Sequence, residues 1–167
     1  MLSNNIQSEY GNNSSNDKII DKDLLQNGDT RNVVDKYRFW TNQAIKTDMA
    51  KTARPFEIAV ENLQRDFNVG SIIRSANAFG TRRFHLVGRR SVNRRGAMVT
   101  DKYIDMNYFV KVSDLDKYAK SNNMTIVGID ILVGLSKSLE NYIFPPNPIL
   151  FFGSESQGLS KPAQKIC

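Results

Sequence analysis

From Phe56 onward, short apolar runs alternate with segments of helical spacing. "FEIAVEN", "RFHLVG", "YFVKV", "MTIVGID" and "PILFFG" read as strands, and helices are predicted over 69–79, around 97–105, over "SDLDKYAKSN" and from Ser160. Continuous apolar strands separated by helices predict an α/β fold with a mostly parallel sheet covered on both faces. Ligands of such sheets bind beyond the carboxyl ends of the strands, so the loops after Val60, Asp130 and Phe152 are the places to look for a site. In the helix at 69–79, Val69, Ile72, Ile73, Ala76 and Phe79 share one stripe, and Gly70, Arg74 and Asn77 lie opposite. Asn68 suits its N-cap and Gly80 its C-terminal stop. His85 falls inside a strand, away from those loops, and a structural role is expected for it.

Upstream the pattern changes. Residues 1–32 are rich in Asn, Ser and Asp with only short apolar pairs, which predicts a disordered tail with a transient turn around Ile19 to Leu25. Val33, Tyr37, Trp40 and Ala44 then recur at helical spacing, which predicts a helical extension over 33–52. Its aromatic stripe reads as packing surface.

Composition narrows the function classes. A hydrophobic content of 40% with 24% charged residues is ordinary for a globular protein. The longest apolar runs are too short to span a bilayer, and the first residues lack the basic start and apolar core of a signal peptide, so a cytoplasmic location is expected. One cysteine and one histidine exclude an internal disulfide and an ordinary zinc site. Charge is more informative. Between Phe67 and Thr100 stand seven arginines (74, 82, 83, 89, 90, 94 and 95) with no lysine and no acid, +7 against +6 for the whole chain, which leaves −1 for the remainder. Most charge runs only keep a face solvated. Arginine, however, offers a planar fork for phosphate oxygens, and the absence of compensating acids favours a nucleic-acid surface.

Two loops carry candidate chemistry. An arginine one turn beyond a glycine, as Arg74 stands to Gly70, can hold a phosphate over a helix N-terminus. In "FFGSESQGLSKPA", Gly153 and Gly158 have the spacing of a nucleotide-binding P-loop, but Leu159 stands where the lysine belongs and Glu155 would repel a triphosphate. The dinucleotide fingerprint G-x-G-x-x-G is absent as well. What remains is a glycine loop whose carboxylate can orient a cationic or hydroxyl-bearing ligand.

Taken together, "ENLQRDFNVGSIIRSANAFG" resembles the first signature motif of the SpoU (TrmH) family of RNA ribose methyltransferases, and "LFFGSESQGLS" resembles its second. The resemblance implies a methyltransferase domain over 53–167 with the SPOUT-type α/β-knot fold. It also implies homodimers, S-adenosylmethionine as cofactor, and methyl transfer to a ribose 2'-hydroxyl of tRNA or rRNA. Carried over by position, Arg74, Asn68 and Glu155 are the catalytic residues, and Gly153, Gly158 and Asp130 contact the cofactor. Arg82, Arg83, Arg89, Arg90, Arg94 and Arg95 become the RNA-binding surface, and no metal is expected. A guanidinium is a poor base, so positioning a phosphate and stabilising the developing alkoxide suit Arg74 better than proton abstraction. The family's third motif, a serine- and asparagine-bearing segment before a final helix, is not found in the 167 residues, so neither the knot nor a complete cofactor pocket is expected from them. Two readings follow: a methyltransferase, or a noncatalytic RNA-binding remnant or fragment of one.

Overall fold

The computed structural model of the chain describes residues 19–61, 65–88, 97, 100–132, 134 and 136–167. It comprises two compact units, Met1–Lys51 and Thr52–Cys167.

In the first unit, the described part of the expected tail is ordered by polar contacts rather than by an apolar core. Asp21 caps helix α1 (Lys22–Asn27) by accepting from the backbone N–H groups of Asp23 and Leu24. Asp29 accepts from the Arg31 guanidinium at 2.7 and 2.9 Å and from the Phe39 backbone N–H at 2.9 Å. The Arg31 hydrogen bond above all holds the Asp29 carboxyl well below the usual carboxylate range. The helix expected from residue 33 starts only at α2 (Asn42–Ala50), after a single 3-10 turn at Asp35–Tyr37. Phe39, at φ 63°, takes the left-handed conformation that stops a right-handed helix, and Thr41 caps the new start through the Ala44 N–H.

The second unit is built on five strands: β1 (Glu57–Glu61), β2 (Arg83–Val87), β3 (Asp105–Phe109), β4 (Thr125–Ile129) and β5 (Pro148–Phe152). All pair in parallel, in the order β3-β2-β1-β5-β4, as the alternation of strands and helices predicts. Helix α3 (Asp66–Ala78) covers one face, where Val69, Ile73 and Ala76 pack on Val60, Phe84 and Leu86. Helices α4 (Val112–Ser121) and α5 (Lys161–Ile166) cover the other, where Leu115, Ala119 and Ala163 pack on Ala59, Ile149 and Phe151. The period-two alternation of β1 therefore sends Val60 to one layer and Ala59 to the other.

Three local boundaries differ from the sequence reading. The third strand lies at 105–109 rather than 108–112, because Lys111 already caps α4, its N–H donating to Asp114 at 3.2 Å, and leaves Val110 64% exposed. Of the helix expected around 97–105, residues 100–102 form a 3-10 turn and Asp105 opens β3. Phe79 leaves the apolar stripe of α3 for solvent, since the helix ends one residue earlier and Gly80 turns the chain at φ 71°. Among the described residues, no helix is long and apolar enough to cross a membrane.

Candidate active site

Strands β1 and β5 are neighbours, yet the chain leaves β1 for α3 on one face and β5 for α5 on the other. The two connections diverge above the carboxyl ends of the central strands, which makes this the switch point at which open α/β sheets bind ligands. Here the two motifs meet. Asn68 Nδ2 donates to Glu155 Oε1 at 2.7 Å, and the Arg65 backbone N–H reaches the same oxygen at 3.4 Å.

Asn68 is not the N-cap expected from the sequence. Helix α3 begins at Asp66 with Arg65 as an N-cap that makes no side-chain cap hydrogen bond, so Asn68 sits in the first turn and its amide turns to the neighbouring loop. Arg74 is exposed on the same helix, about 9 Å further along its axis at 1.5 Å per residue.

The second loop is closed by paired hydrogen bonds, Ser154 N–H to the Gly158 carbonyl at 3.0 Å and Gly158 N–H to the Ser154 carbonyl at 2.9 Å. A Cβ on Gly153 would stand 1.9 Å from the Gly158 carbonyl carbon, and one on Gly158, at φ 65°, would stand 2.4 Å from Asp130 Oδ2. Both positions therefore demand glycine for close backbone approach. Asp130 anchors the loop exit, with Oδ2 accepting from Leu159 N–H at 2.8 Å and Oδ1 from Ile131 N–H at 2.7 Å.

Glu61 escaped the sequence reading. It ends β1, is 4% exposed, and accepts from the backbone N–H and the hydroxyl of Ser160 at 3.0 and 2.7 Å. Ser160 in turn caps α5 through Ala163 N–H, so this buried carboxylate ties the end of β1 to the helix after the second loop. An acid closing the apolar run Ile58–Val60 was the available signal.

The arginines separate. Arg82 is exposed and Arg83 half-buried at the start of β2, the opposite edge of the sheet from the two loops. Arg83 is engaged within the protein: its guanidinium donates to the Tyr118 hydroxyl at 2.9 Å and stands 3.7 Å from Glu57 Oε1, because β2 begins directly beside a buried acid that needs a cation. Arg89, Arg90, Arg94 and Arg95 lie outside the described residues.

Beside the second loop, a cavity of about 840 Å³ opens at the carboxyl end of β4. Ile129, Asp130, Leu139, Glu140, Tyr142 and Leu159 are among its walls. Its volume is within the roughly 300–1,000 Å³ of small-molecule sites, and aliphatic walls with two carboxylates and Lys137 suit a ligand that carries an apolar ring system and charges of both signs. Cys167 also borders it, and burial followed by the charge of Glu61 pushes that thiol up to about 11, so it is a neutral wall at physiological pH. Among the described residues, no group of three His, Cys, Asp or Glu could hold a metal ion.

The model of the SpoU rRNA Methylase family matches residues 55–167. No curated protein matches the chain by sequence. Among solved structures, the chain is similar to the SpoU methyltransferase AviRb from Streptomyces viridochromogenes, crystallised in complex with the cofactor AdoMet, at 19% identity and a TM-score of 0.61 over 72% of this chain and 49% of that one. It is similar to the A. aeolicus TrmH/SpoU tRNA modifying enzyme at 17% identity and a TM-score of 0.64, over 75% and 66% of the two chains. An AdoMet-bound rRNA methyltransferase from Sinorhizobium meliloti matches at 18% identity and a TM-score of 0.56, over 70% and 47%. The chain thus spans less than two thirds of the length of these structures.

Proposed function

The chain belongs to the SpoU rRNA methylase family, and from that premise we propose that it acts in RNA methylation, transferring a methyl group from S-adenosylmethionine to a ribose 2'-hydroxyl of tRNA or rRNA. The observation that carries the reading is the Asn68–Glu155 hydrogen bond, which joins the two motif loops at the switch point of the sheet, on the helix that bears Arg74.

S-adenosylmethionine supplies an activated methyl group on a cationic sulfur. In this reading Asp130 and Glu140 favour that positive charge, while Ile129, Leu139 and Leu159 offer apolar contact to its ring system. Gly153 and Gly158 let the loop backbone close beside it. Arg74 orients an RNA phosphate and stabilises the alkoxide that develops as the 2'-hydroxyl proton passes to solvent water and the oxygen takes the methyl group, leaving S-adenosylhomocysteine. Asn68 holds the Glu155 carboxylate in place beside the ribose. Arg82, Arg89, Arg90, Arg94 and Arg95 contribute cationic surface for the phosphate backbone, and a homodimer is the assembly that accompanies this activity.

The test is transfer of labelled methyl from S-adenosylmethionine to unmodified tRNA and rRNA, followed by digestion to nucleosides. Labelled 2'-O-methyl nucleosides are expected. Label on a base would overturn the ribose assignment, and RNA binding without any label would leave the noncatalytic reading.

A further inference from the structure

Helix α3 carries a large aromatic that packing does not explain. Phe67 is 59% exposed in its first turn, directly before Asn68, whose side chain holds Glu155. Seven residues separate it from Arg74, an offset of about 20° around the helix and about 10 Å along it, so the two share one solvent-facing stripe. Helical side chains lean toward the amino end, which carries Phe67 toward the carboxyl edge of the sheet and Arg74 toward Phe67. Phe79, the other exposed phenylalanine of this region, stands at the opposite edge, away from the Asn68–Glu155 pair.

Arg74 gives this stripe its positive charge, and what lies on it meets an aromatic face and a guanidinium together. Single-stranded RNA has the complementary pair of features: an anionic backbone and flat bases that stack on aromatic rings. A protein partner with an acidic apolar surface would share the charge but not the need for a flat ring beside an arginine.

We propose that Phe67 is a base-stacking platform, on which a nucleobase of the RNA substrate next to the target ribose rests while Arg74 holds its phosphate. This deepens the reading of the same site as an RNA methyltransferase and rests on it. The platform turns the nucleotide's base away from solvent and thereby presents its ribose to the Asn68–Glu155 pair. It also implies preference for unpaired RNA, since a paired base has no free face to offer.

Stacking on an aromatic is largely indifferent to base identity, so a single-stranded oligouridylate of about 12 nucleotides is a sufficient probe. Phe67→Ala and Phe67→Leu should both weaken its binding about 5- to 100-fold, because leucine keeps apolar volume and loses the π face. Phe67→Trp should retain affinity, and its added emission over that of Trp40 should be quenched when the oligonucleotide binds. The salt dependence of binding should stay constant across the series, since no phosphate contact is lost. Equal affinity of Phe67→Ala and the wild type overturns the platform alone and leaves the methyltransferase reading standing. A Phe67→Leu variant that binds like the wild type overturns it too, as does a loss of self-association in Phe67→Ala by sedimentation, which would assign the ring to a second copy of the chain. Absence of any binding by the wild type removes RNA recognition, and the platform with it.

Discussion

The two edges of the same sheet each hold a glutamate paired with a neighbour, and they differ in what surrounds the pair. At the amino edge, Glu57 and His85 are fully buried and 2.7 Å apart, the Tyr118 hydroxyl donates to Glu57 at 2.9 Å, and Arg83 closes the outer side. The rings of Tyr118 and Phe109 lie 5.0 and 5.5 Å from His85. Burial alone would raise the Glu57 carboxyl, but the hydrogen bond and charge of His85, with Tyr118 and Arg83, outweigh it and hold it below its ordinary value. At the carboxyl edge, Glu155 and Asn68 make a bond of the same length, but Glu155 is exposed to solvent. Residue type does not distinguish scaffold from site here. Enclosure does: a carboxylate surrounded by protein must be satisfied by protein, and one exposed at a switch point faces solvent, from which a substrate arrives.

The comparison is broken most forcefully at the amino edge. Glu57→Ala leaves His85 and Arg83 without their acid and should cost about 3–5 kcal/mol in urea unfolding, with cofactor and RNA sites intact in the fraction that remains folded. A loss below about 1 kcal/mol, the scale of an exposed pair, would reclassify the network as peripheral. The milder Glu57→Gln sharpens the same point through pH. Because the folded carboxyl sits below its usual 4.5, its contribution is fully present above that pH and is lost as pH falls through the lower, folded value. The acid limb of unfolding should therefore be flatter in Glu57→Gln, while Asp48, held at about 2 first by its Lys36 hydrogen bond, keeps part of the slope in the first unit.

At the carboxyl edge the effects should fall on chemistry. Arg74→Ala should lower single-turnover methyl transfer at least about a hundredfold, the scale of one oxyanion-stabilising group, with an unchanged melting temperature. Transfer near the wild-type rate would take Arg74 out of the reaction. Gly153→Ala forces a Cβ against the Gly158 carbonyl, so the loop must move. About 1–3 kcal/mol of stability should go, together with S-adenosylmethionine affinity by calorimetry; full affinity would show that the loop backbone is not part of that pocket. Asn68→Ala should be the smallest, about 0.5–1.5 kcal/mol, because water can replace a partner of an exposed carboxylate. A larger loss would mean that the pair acts as scaffold after all.

Several features were legible in residue order because they are local. The apolar runs at 57–61, 83–87, 125–129 and 148–152 predict strands by composition, Val69, Ile73 and Ala76 predict the buried face of α3 by period, and the spacing of Gly153 and Gly158 predicts a tight loop. The same local reasoning misplaced β3, since Tyr108, Phe109 and Val110 look alike as strand formers and only the cap at Lys111 decides where the chain turns. It also gave no sign of the partners of Arg83, because nothing near it in the chain shows that Glu57 and Tyr118 are its neighbours. The register of β1 against β2 and the crossover through α4 bring those three together, across 26 and 35 positions of sequence. What tertiary structure alone decided is the Asn68–Glu155 contact, 87 residues apart. It exists because β5 inserts between β1 and β4, and strand order is a choice among non-local pairings of similar local energy, settled by which arrangement buries both faces of the sheet at once.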